Sequence, residues 1–342
     1  MAVTIHDVAT LAGTSTATVS QALNSPGRVS AETRRRVISA AKRLNYYPNL
    51  HARNLARRQS RTFGIIVSDI QNPFYPAVIR AFEARARRRG YEVTVSDTNY
   101  SPRLMTRATE RMLEQNVRGV AIMTSEMSPT LFKLLLGRNI AVTLLDIDSA
   151  AQNISIIKFD YSSGLHQAVE HLYGFGHRHI AFVGGKSLKS INARQTAFID
   201  AIRKFGLEPG PIISGNQSVE GGLAAGQKIA RLSKRPTAVI AMNDLTALGL
   251  SKAFSRAGLR IPQDISVVGF DKTFLAEFFT PSLTTIDIHA DKLGSLAVDC
   301  LQKLSSTPEP HGEEHLLPLQ LVIGDSTGPA PSNREKTRSN SR

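Results

Sequence analysis

The sequence predicts two folds in one chain: a small all-α helix-turn-helix unit, followed by an α/β core of two doubly wound parallel-sheet lobes. Three observations predict this arrangement. Basic residues crowd the first 61 of the 342 positions. The same stretch shows short helical periodicities broken by a glycine turn. After residue 61, short β-rich runs alternate with helical ones, and the alternation recurs after residue 160.

The uneven charge points to an anionic partner. The formal net charge is +14, and residues 1–61 hold ten Lys and Arg against only Asp7 and Glu32. Such a density favours nucleic acid or an anionic membrane surface, whereas a solvated basic face is the more common meaning of a charge run. Apolar runs stay well below the ~20 residues of a membrane span, and the N-terminus lacks a signal-peptide pattern. With Cys300 as the only cysteine, we expect a cytoplasmic protein.

Three short helices are predicted in this basic stretch. Thr4 and Asp7 have the spacing of a capping box, and Gly13 ends the first helix. Ser15 can cap the second helix, in which Val19 and Leu23 face inward. Its outward face should consist of Thr16, Ala17, Ser20, Gln21 and Asn24. Small hydrogen-bonding side chains of this kind fit a groove and can contact base edges. A third helix, from Ser30 to Leu44, places Arg34, Arg35 and Arg36 where they can hold phosphates.

The amino-acid sequence of these helices is more specific than their spacing. "TIHDVATLAGTSTATVSQALN" and "VSAETRRRVISAAKRLNYYPN" closely resemble the N-terminus of the LacI/GalR (lactose-repressor) family of bacterial transcription regulators. Residues 48–56, "PNLHARNLA", resemble that family's hinge helix. The resemblance implies that this segment folds on the operator and that Leu55 wedges between bases in the minor groove, although a plain core or linker leucine is the alternative. The candidate DNA contacts are Thr4, Ser15, Thr16, Ala17, Ser20, Gln21, Asn24, Arg34, Arg35, Asn49, Ala52 and Leu55.

The resemblance continues through the core, in "NPFY", "GHRHIAFVGG", "RPTAVIAMND", "GLRIPQDISVVGFD" and "TPSLTTI". It implies a core like that of periplasmic binding proteins, with a ligand cleft between the lobes. The expected domains are a DNA-binding unit over 1–47, a hinge and linker over 48–61, a first lobe over 62–160 and 289–324, a second lobe over 161–288, and a disordered tail over 325–342. The tail contains no leucine heptads, so we expect a homodimer rather than a tetramer held by the tail.

Ligands of parallel α/β sheets bind at the carboxyl ends of the strands. Polar side chains at those ends suit a hydroxyl-rich ligand. Asp146 and Asp244 could instead cap the helices that follow them, and for Asp244 capping is the favoured interpretation. The resemblance adds Arg194 and Asp271 as effector contacts. It also adds the positions near Phe74, Tyr75, Gln217 and Ile288. The candidate effector contacts are Ser68, Asp69, Phe74, Tyr75, Ser125, Asp146, Arg194, Gln217, Asn243, Asp271 and Ile288.

Three positions depart from the family pattern, and one of them is Gln217, where an aromatic residue often lines the cleft. Gln21 stands where many members have Arg or His, so the operator should differ. Tyr161 follows Asp160 where the family commonly has Asn. Four histidines crowd one region (His166, His171, His177 and His179), but their spacing is not that of a metal site, and we expect no metal and no cofactor.

These features favour a transcription regulator, most naturally a repressor, that binds a pseudo-palindromic duplex and responds to a small molecule. A sugar or sugar derivative is the favoured effector, and a purine-like effector is the alternative. A solute-binding protein should have a signal peptide and no DNA-binding unit. An enzyme should have a nucleophile–base pair or a phosphate loop, and the sequence shows neither.

Overall fold

In a computed structural model of the protein, the structure describes residues 3–24, 26–46, 60–124, 128–146, 151–185, 189–307 and 310–331. The chain divides into two compact units, Met1–Arg61 and Thr62–Arg342. No helix in these ranges is both long and apolar enough to cross a membrane.

The first unit is a three-helix cluster. Its helices are α1 (Ile5–Ala12), α2 (Thr16–Asn24) and α3 (Ala31–Arg43), with a short 3-10 helix at Pro26–Arg28. Val8, Val19 and Val37, one from each helix, are fully buried. Small alanines fill the space between them, so the helices can approach closely.

The turn between α1 and α2 follows from two local features. Gly13 adopts a φ of +62°, in the left-handed region that favours glycine, and its N–H donates to carbonyls of the last turn of α1. Ser15 then caps α2, because its Oγ accepts a hydrogen bond of 3.1 Å from the Thr18 N–H. Ser30 caps α3 in the same way, through the Thr33 N–H. The helix-turn-helix predicted from the sequence is therefore confirmed.

The second unit begins with alternating strands and helices. They are β1 (Thr62–Val67), α4 (Phe74–Arg88), β2 (Glu92–Asp97), α5 (Pro102–Glu114), β3 (Gly119–Met123), α6 (Pro129–Leu136), β4 (Ala141–Leu145) and β5 (Ile154–Phe159). The alternation then recurs as α7 (Tyr161–Gly174), β6 (Ile180–Gly184), α8 (Lys189–Lys204), β7 (Ile212–Ser214), α9 (Val219–Ala230), β8 (Ala238–Ala241), α10 (Asp244–Arg256), β9 (Ser266–Asp271), α11 (Leu275–Phe278) and β10 (Thr284–Asp287). The chain closes with α12 (Ala290–Ser306), β11 (Glu314–Leu317) and β12 (Gln320–Val322).

These strands form two sheets, one in each lobe. Sheet 1, in lobe 1, has the order β11-β5-β4-β3-β1-β2, and its strands are all parallel. Sheet 2, in lobe 2, has the order β12-β10-β9-β8-β6-β7 and is parallel except for β12. The central strands of both sheets are buried along their length, as expected for parallel strands with helices on both faces. The predicted fold class is confirmed.

The final segment differs from the expectation that residues 289–324 all return to lobe 1. α12 packs on α4 and β11 pairs with β5, both in lobe 1. β12 instead pairs antiparallel with β10 and completes sheet 2. Leu319 is buried against α7, where a Cβ at Gly164 would come within 2.8 Å of it, so the chain crosses to lobe 2 at this point. The crossing covers the edge of β10, whose backbone groups would otherwise lack partners.

The predicted disorder from residue 325 is wrong for residues 325–331. Ser326 and Thr327 are buried, and the Ser326 Oγ donates to the Val267 carbonyl over 2.6 Å. The Thr284 N–H donates to the same Oγ. Polar side chains here satisfy buried backbone groups of lobe 2, a role that composition does not reveal. The prediction for residues 332–342 lies outside the described residues.

Candidate DNA-reading surface and interlobe site

The exposed face of α2 is the face predicted to read DNA. Ala17 and Gln21 are exposed, Thr16 and Ser20 are half-buried, and Val19 on the opposite face is fully buried. Arg34, Arg35 and Arg36 are exposed along α3. The unit therefore combines a small polar surface with adjacent guanidinium groups.

The remaining DNA-contact predictions are only partly described. The Ser15 Oγ caps α2 by accepting from the Thr18 N–H, and the Thr4 Oγ1 donates to Asp7 over 2.8 Å. The side chain of Asn24 lies outside the described residues, as do Asn49, Ala52 and Leu55. These four positions stay predictions.

Arg194 is the centre of the interlobe site. It projects from α8 with 14% of its side chain exposed, and its Nη1 donates to the Met242 carbonyl over 2.6 Å. Its Nη2 lies 3.8 Å from the Asp271 Oδ1. The guanidinium carbon stands 4.3 Å from the centre of the Phe270 ring and 5.3 Å from that of Tyr161, so two aromatic faces orient it. Its Nε–H is buried and has no hydrogen-bond acceptor among the described residues.

A short hydrogen bond joins the two lobes beside this arginine. The Tyr161 hydroxyl, on the first residue of α7, donates to the Asp146 Oδ2 over 2.5 Å. Asp146 follows β4, and its Oδ1 accepts from the Phe159 N–H. Burial raises the pKa of Asp146, while the bonds from Tyr161 and Phe159 and the charge of Arg194 partly offset that effect. The contact joins the two lobes beside Arg194.

Asp271 ends β9 on the lobe 2 side. It is buried and has a φ of +100°, an unusual conformation for a non-glycine residue and one that is often found at functional sites. Burial raises its pKa to about 8, because desolvation outweighs the attraction of Arg194 and the side-chain hydrogen bond from Asn72. The charge of Asp244 raises it further. Asn72, just before α4 in lobe 1, therefore lies close to Asp271 in lobe 2.

Two tyrosines, Tyr75 and Tyr100, lie on the lobe 1 side of the interlobe site, here called the lobe 1 wall. Burial raises the pKa of Tyr100, as do its hydrogen bond with Tyr75 and the charge of Asp69. Asp69 is half-buried, and its Oδ1 accepts the Gln71 N–H over 2.8 Å. Ser68 is buried at the end of β1, beside the Tyr100 backbone, which donates to the Ser68 carbonyl. The predicted residues Ser68, Asp69 and Tyr75 thus share one wall.

Asp244 does not cap its own helix, contrary to the favoured interpretation. Asn243 caps α10 by accepting from the Thr246 N–H over 2.8 Å, and its Nδ2 donates to the Gln217 carbonyl. Asp244 is fully buried and accepts from the backbone and hydroxyl of Thr273 and from the hydroxyl of Thr285. Burial raises its pKa to about 6 against the effect of these donors. It therefore ties the loop after β9 to β10.

Some predicted contacts lie away from this group. Ile288 is fully buried in the hydrophobic core, and Phe74 is also a core residue, with its ring edge-on to Tyr75. Ser125 lies outside the described residues. Asn72, Tyr100 and Phe270 belong to the site but were not predicted from the sequence, and Tyr161 was singled out only as a departure from the family pattern. Asn72 and Phe270 stand inside quoted motifs, "NPFY" and "GFD", which could have drawn attention to them.

One of the four crowded histidines, His177, has a structural role in the core of lobe 2. His177 is fully buried, with its ring nitrogens within 2.8 Å of the Thr237 Oγ1 and 3.0 Å of the Ser266 Oγ and the Gly328 carbonyl. Burial lowers the pKa values of His177 and His171. The described residues contain no cluster of three potential metal ligands.

Comparison with known proteins decides the family. Residues 4–49 match the model of bacterial regulatory proteins of the lacI family, and residues 169–327 match a periplasmic binding protein-like domain. The chain is 33% identical to the HTH-type transcriptional repressor PurR of Histophilus somni (strain 129Pt), over 91% of this chain and 94% of the relative. The chain belongs to the lacI family. This LacI-family protein is a DNA-binding transcriptional repressor and not an enzyme.

Other relatives match most or nearly all of the chain. The HTH-type transcriptional regulator DegA of Bacillus subtilis (strain 168) is 30% identical over 96% of this chain and 99% of its own. The crystal structure of the Lac repressor dimer bound to operator and the anti-inducer ONPF has a TM-score of 0.83 and 31% identity, and covers 96% of this chain and 100% of that one. A LacI family transcriptional regulator from Enterococcus faecium with bound ribose has a TM-score of 0.71 and 26% identity, over 78% of this chain and 99% of that one.

Proposed function

We propose that this repressor is controlled by a small molecule bound between its lobes, and that the molecule is a sugar or sugar derivative. The observation that carries the proposal is the buried Nε–H of Arg194, which has no acceptor among the described residues. An unmet buried donor costs free energy, and a ligand oxygen would satisfy it. The carboxyl groups of Asp271 and Asp146 lie near the guanidinium and can accept hydrogen bonds from ligand hydroxyl groups.

The site suits control because its groups come from both lobes. Asp146 and Asn72 belong to lobe 1, while Tyr161, Arg194 and Asp271 belong to lobe 2. A ligand that replaces or bridges these contacts changes the relative free energies of the lobe arrangements. Its effect on operator affinity equals its differential affinity for those arrangements.

A sugar is favoured because the rings next to Arg194 are already covered. The guanidinium lies over Phe270 and Tyr161, so a flat ligand would have to displace it before stacking there. Gln217 and Ile288 offer no aromatic face. The Enterococcus faecium relative with bound ribose supports the same class. A purine-like base is the second candidate, since Tyr75 and Tyr100 provide aromatic rings on the lobe 1 wall.

A ligand screen tests the proposal. Sugars, sugar phosphates and nucleobases are added in turn to the full-length protein, and the melting temperature is measured, because a ligand that prefers the folded state raises it. We expect a rise with a sugar, and no rise with that sugar in Asp271→Asn. Asp264→Asn, with its carboxylate paired to Arg260, is the matched control and should keep the response. A rise with nucleobases alone would contradict the sugar assignment.

On the DNA side, α2 should read base edges while the arginines of α3 hold phosphates. Leu55→Ala should reduce affinity for a duplex selected from a random pool, while the melting-temperature response to the ligand persists. Equal affinity of both proteins for that duplex would contradict the wedge assigned to Leu55.

A homodimer is proposed on an apolar surface of lobe 2. Phe278 and Phe274 expose 77% and 66% of their surface, and Leu248 exposes 38%. A cavity of about 300 Å³ between α10 and α11 is lined by Leu248, Phe278 and Phe279, among others. Apolar exposure of this kind marks an interface, and the Lac repressor relative was solved as a dimer. Phe278→Asp should sediment as a monomer, whereas Ile212→Asp, on another exposed surface, should sediment like the unmodified chain.

A further inference from the structure

Lobe 2 carries an unexplained concentration of positive charge at one end. The amino-terminal ends of its strands, and the helix ends beside them, hold nine exposed cations, here called the basic edge. They are Arg178, Arg203, Lys204, Lys228, Arg231, Lys234, Arg235, Arg256 and Arg260. The acids in the described part of this edge are Glu208, Asp264 and Asp325.

The topology places these cations in one row. They precede or adjoin β9, β8, β6 and β7, which are consecutive neighbours in sheet 2. At the usual strand spacing of ~4.8 Å, the row extends about 14 Å from the first strand to the fourth. It lies at the opposite end of the strands from Asp271, and therefore away from the interlobe site. The DNA-binding unit joins the core at Thr62, in the other lobe.

Interactions within the protein account for only part of this charge. Arg260 is paired with Asp264, and Arg178 donates to the Tyr173 and His177 carbonyls. Helix dipoles favour cations in the last turns of α8, α9 and α10. Neither explanation covers Lys234, which lies in the loop before β8 and belongs to none of the ion pairs of the described residues, whereas the charge of Arg235 acts on Asp264. Crowded like charges destabilise a compact state unless an anion compensates them.

We propose that the basic edge binds the phosphate backbone of a second segment of duplex DNA. Six of its nine cations are arginines, whose guanidinium groups match phosphate oxygens in a two-pronged geometry. Duplex DNA presents one charge per ~3.4 Å along each strand, so a 14 Å row faces about four phosphates of the nearer strand. The first unit already holds the protein on DNA, and a nearby segment is then present at a high effective concentration.

The last described residues of the chain border the same edge. The Ala330 N–H donates to the Phe175 carbonyl, and Gly328 lies against Pro262, so the last described residues run along the basic edge. The protein would thus bring two duplex segments together, one read by α2 and the other held without sequence preference.

A bridging assay with the full-length protein tests this inference. The protein is bound to a selected duplex on beads, washed, and offered a labelled duplex of unrelated sequence at low salt. We expect the unmodified protein to capture the labelled duplex. A variant with Arg231→Glu, Lys234→Glu and Arg235→Glu together should stay on the beads and capture none.

The matched control reverses an equal charge elsewhere. Arg103→Glu, Arg107→Glu and Lys292→Glu together change three exposed cations away from the basic edge, and this variant should still capture the duplex. A glutamine version of the edge variant, with an unchanged melting temperature, separates loss of charge from loss of fold. Each lost phosphate contact lowers the slope of log affinity against log salt by ~0.9, so the three glutamines should lower it by ~2.7. When the salt concentration rises fourfold, the factor by which capture falls should therefore be about forty-fold smaller for the glutamine version than for the unmodified protein.

Two results would overturn the inference. Equal capture by the edge variants and the unmodified protein would mean that the second duplex is held elsewhere. Failure of every protein, including the unmodified one, to capture the labelled duplex would mean that the basic edge does not hold DNA. This conclusion would stand whether or not the unmodified protein floats with phosphatidylserine vesicles.

Discussion

Asp271→Asn should make the stability of the core less sensitive to pH. The Asp271 carboxyl is buried beside Asp244, and its pKa is raised from an ordinary value of 3.8 to about 8. The folded protein therefore holds a proton that the unfolded chain releases between these two values. Stability from this group is fully present below about pH 4 and is lost as the pH rises towards 8. Asparagine keeps the shape of the side chain but cannot titrate.

The magnitude follows from one proton. Each pH unit between the two pKa values changes the free energy of unfolding by about 1.4 kcal/mol. The slope halves close to the folded-state pKa, so the loss between pH 6 and pH 8 amounts to about 2 kcal/mol. Over that interval, the unmodified protein should lose about this much stability relative to Asp271→Asn. Groups common to both proteins, such as His171 and His177, cancel in the difference.

Calorimetric unfolding at a series of pH values measures this difference, and the absence of tryptophan makes calorimetry preferable to fluorescence. Asp264→Asn is the control, because the hydrogen bonds from Arg260 lower the pKa of Asp264 and its contribution changes only in acid. A stability difference between unmodified protein and Asp271→Asn that stays constant from pH 6 to pH 8 would refute the reasoning. It would mean that Arg194 keeps the Asp271 carboxylate ionised despite its burial.

Substitutions at four further positions test other parts of the molecule. Gln21→Ala should relax the base preference at one position per half-site at a cost of ~1–3 kcal/mol, which selection from a random duplex pool measures. Arg35→Ala should instead weaken all duplexes alike and lower the salt slope by ~0.9, so an altered sequence preference would contradict its role. Tyr161→Phe removes the 2.5 Å donor to Asp146 and should cost about 1–3 kcal/mol in calorimetric stability, whereas an unchanged transition would mean that this hydrogen bond contributes nothing. Asp244→Ala leaves three buried donors without an acceptor and should cost about 3 kcal/mol or more, with Asp244→Asn costing less because one oxygen remains.

The sequence by itself determined the features that depend on neighbours along the chain. The caps at Ser15 and Ser30 bond to residues three positions later, and the turn at Gly13 needs only a residue that accepts a positive φ. The alternation of strands and helices was equally legible, because buried parallel strands need continuous apolar runs. The family resemblance also named Arg194 and Asp271 as contacts of one ligand, and their side chains lie 3.8 Å apart.

The tertiary structure alone decided which distant groups meet. Asn72 reaches Asp271 across 199 positions of sequence, and Tyr161 pairs with Asp146 across the lobe boundary. The sheet joined by β12 could not be read from its apolar pattern, since both sheets offer an edge strand. Asp244 looked like a helix cap because an acid after a strand usually serves the nearest N–H groups. Its partners on Thr273 and Thr285 arrive only when β9 and β10 pack beside it, and that packing also buries Asp271 and sets its pKa.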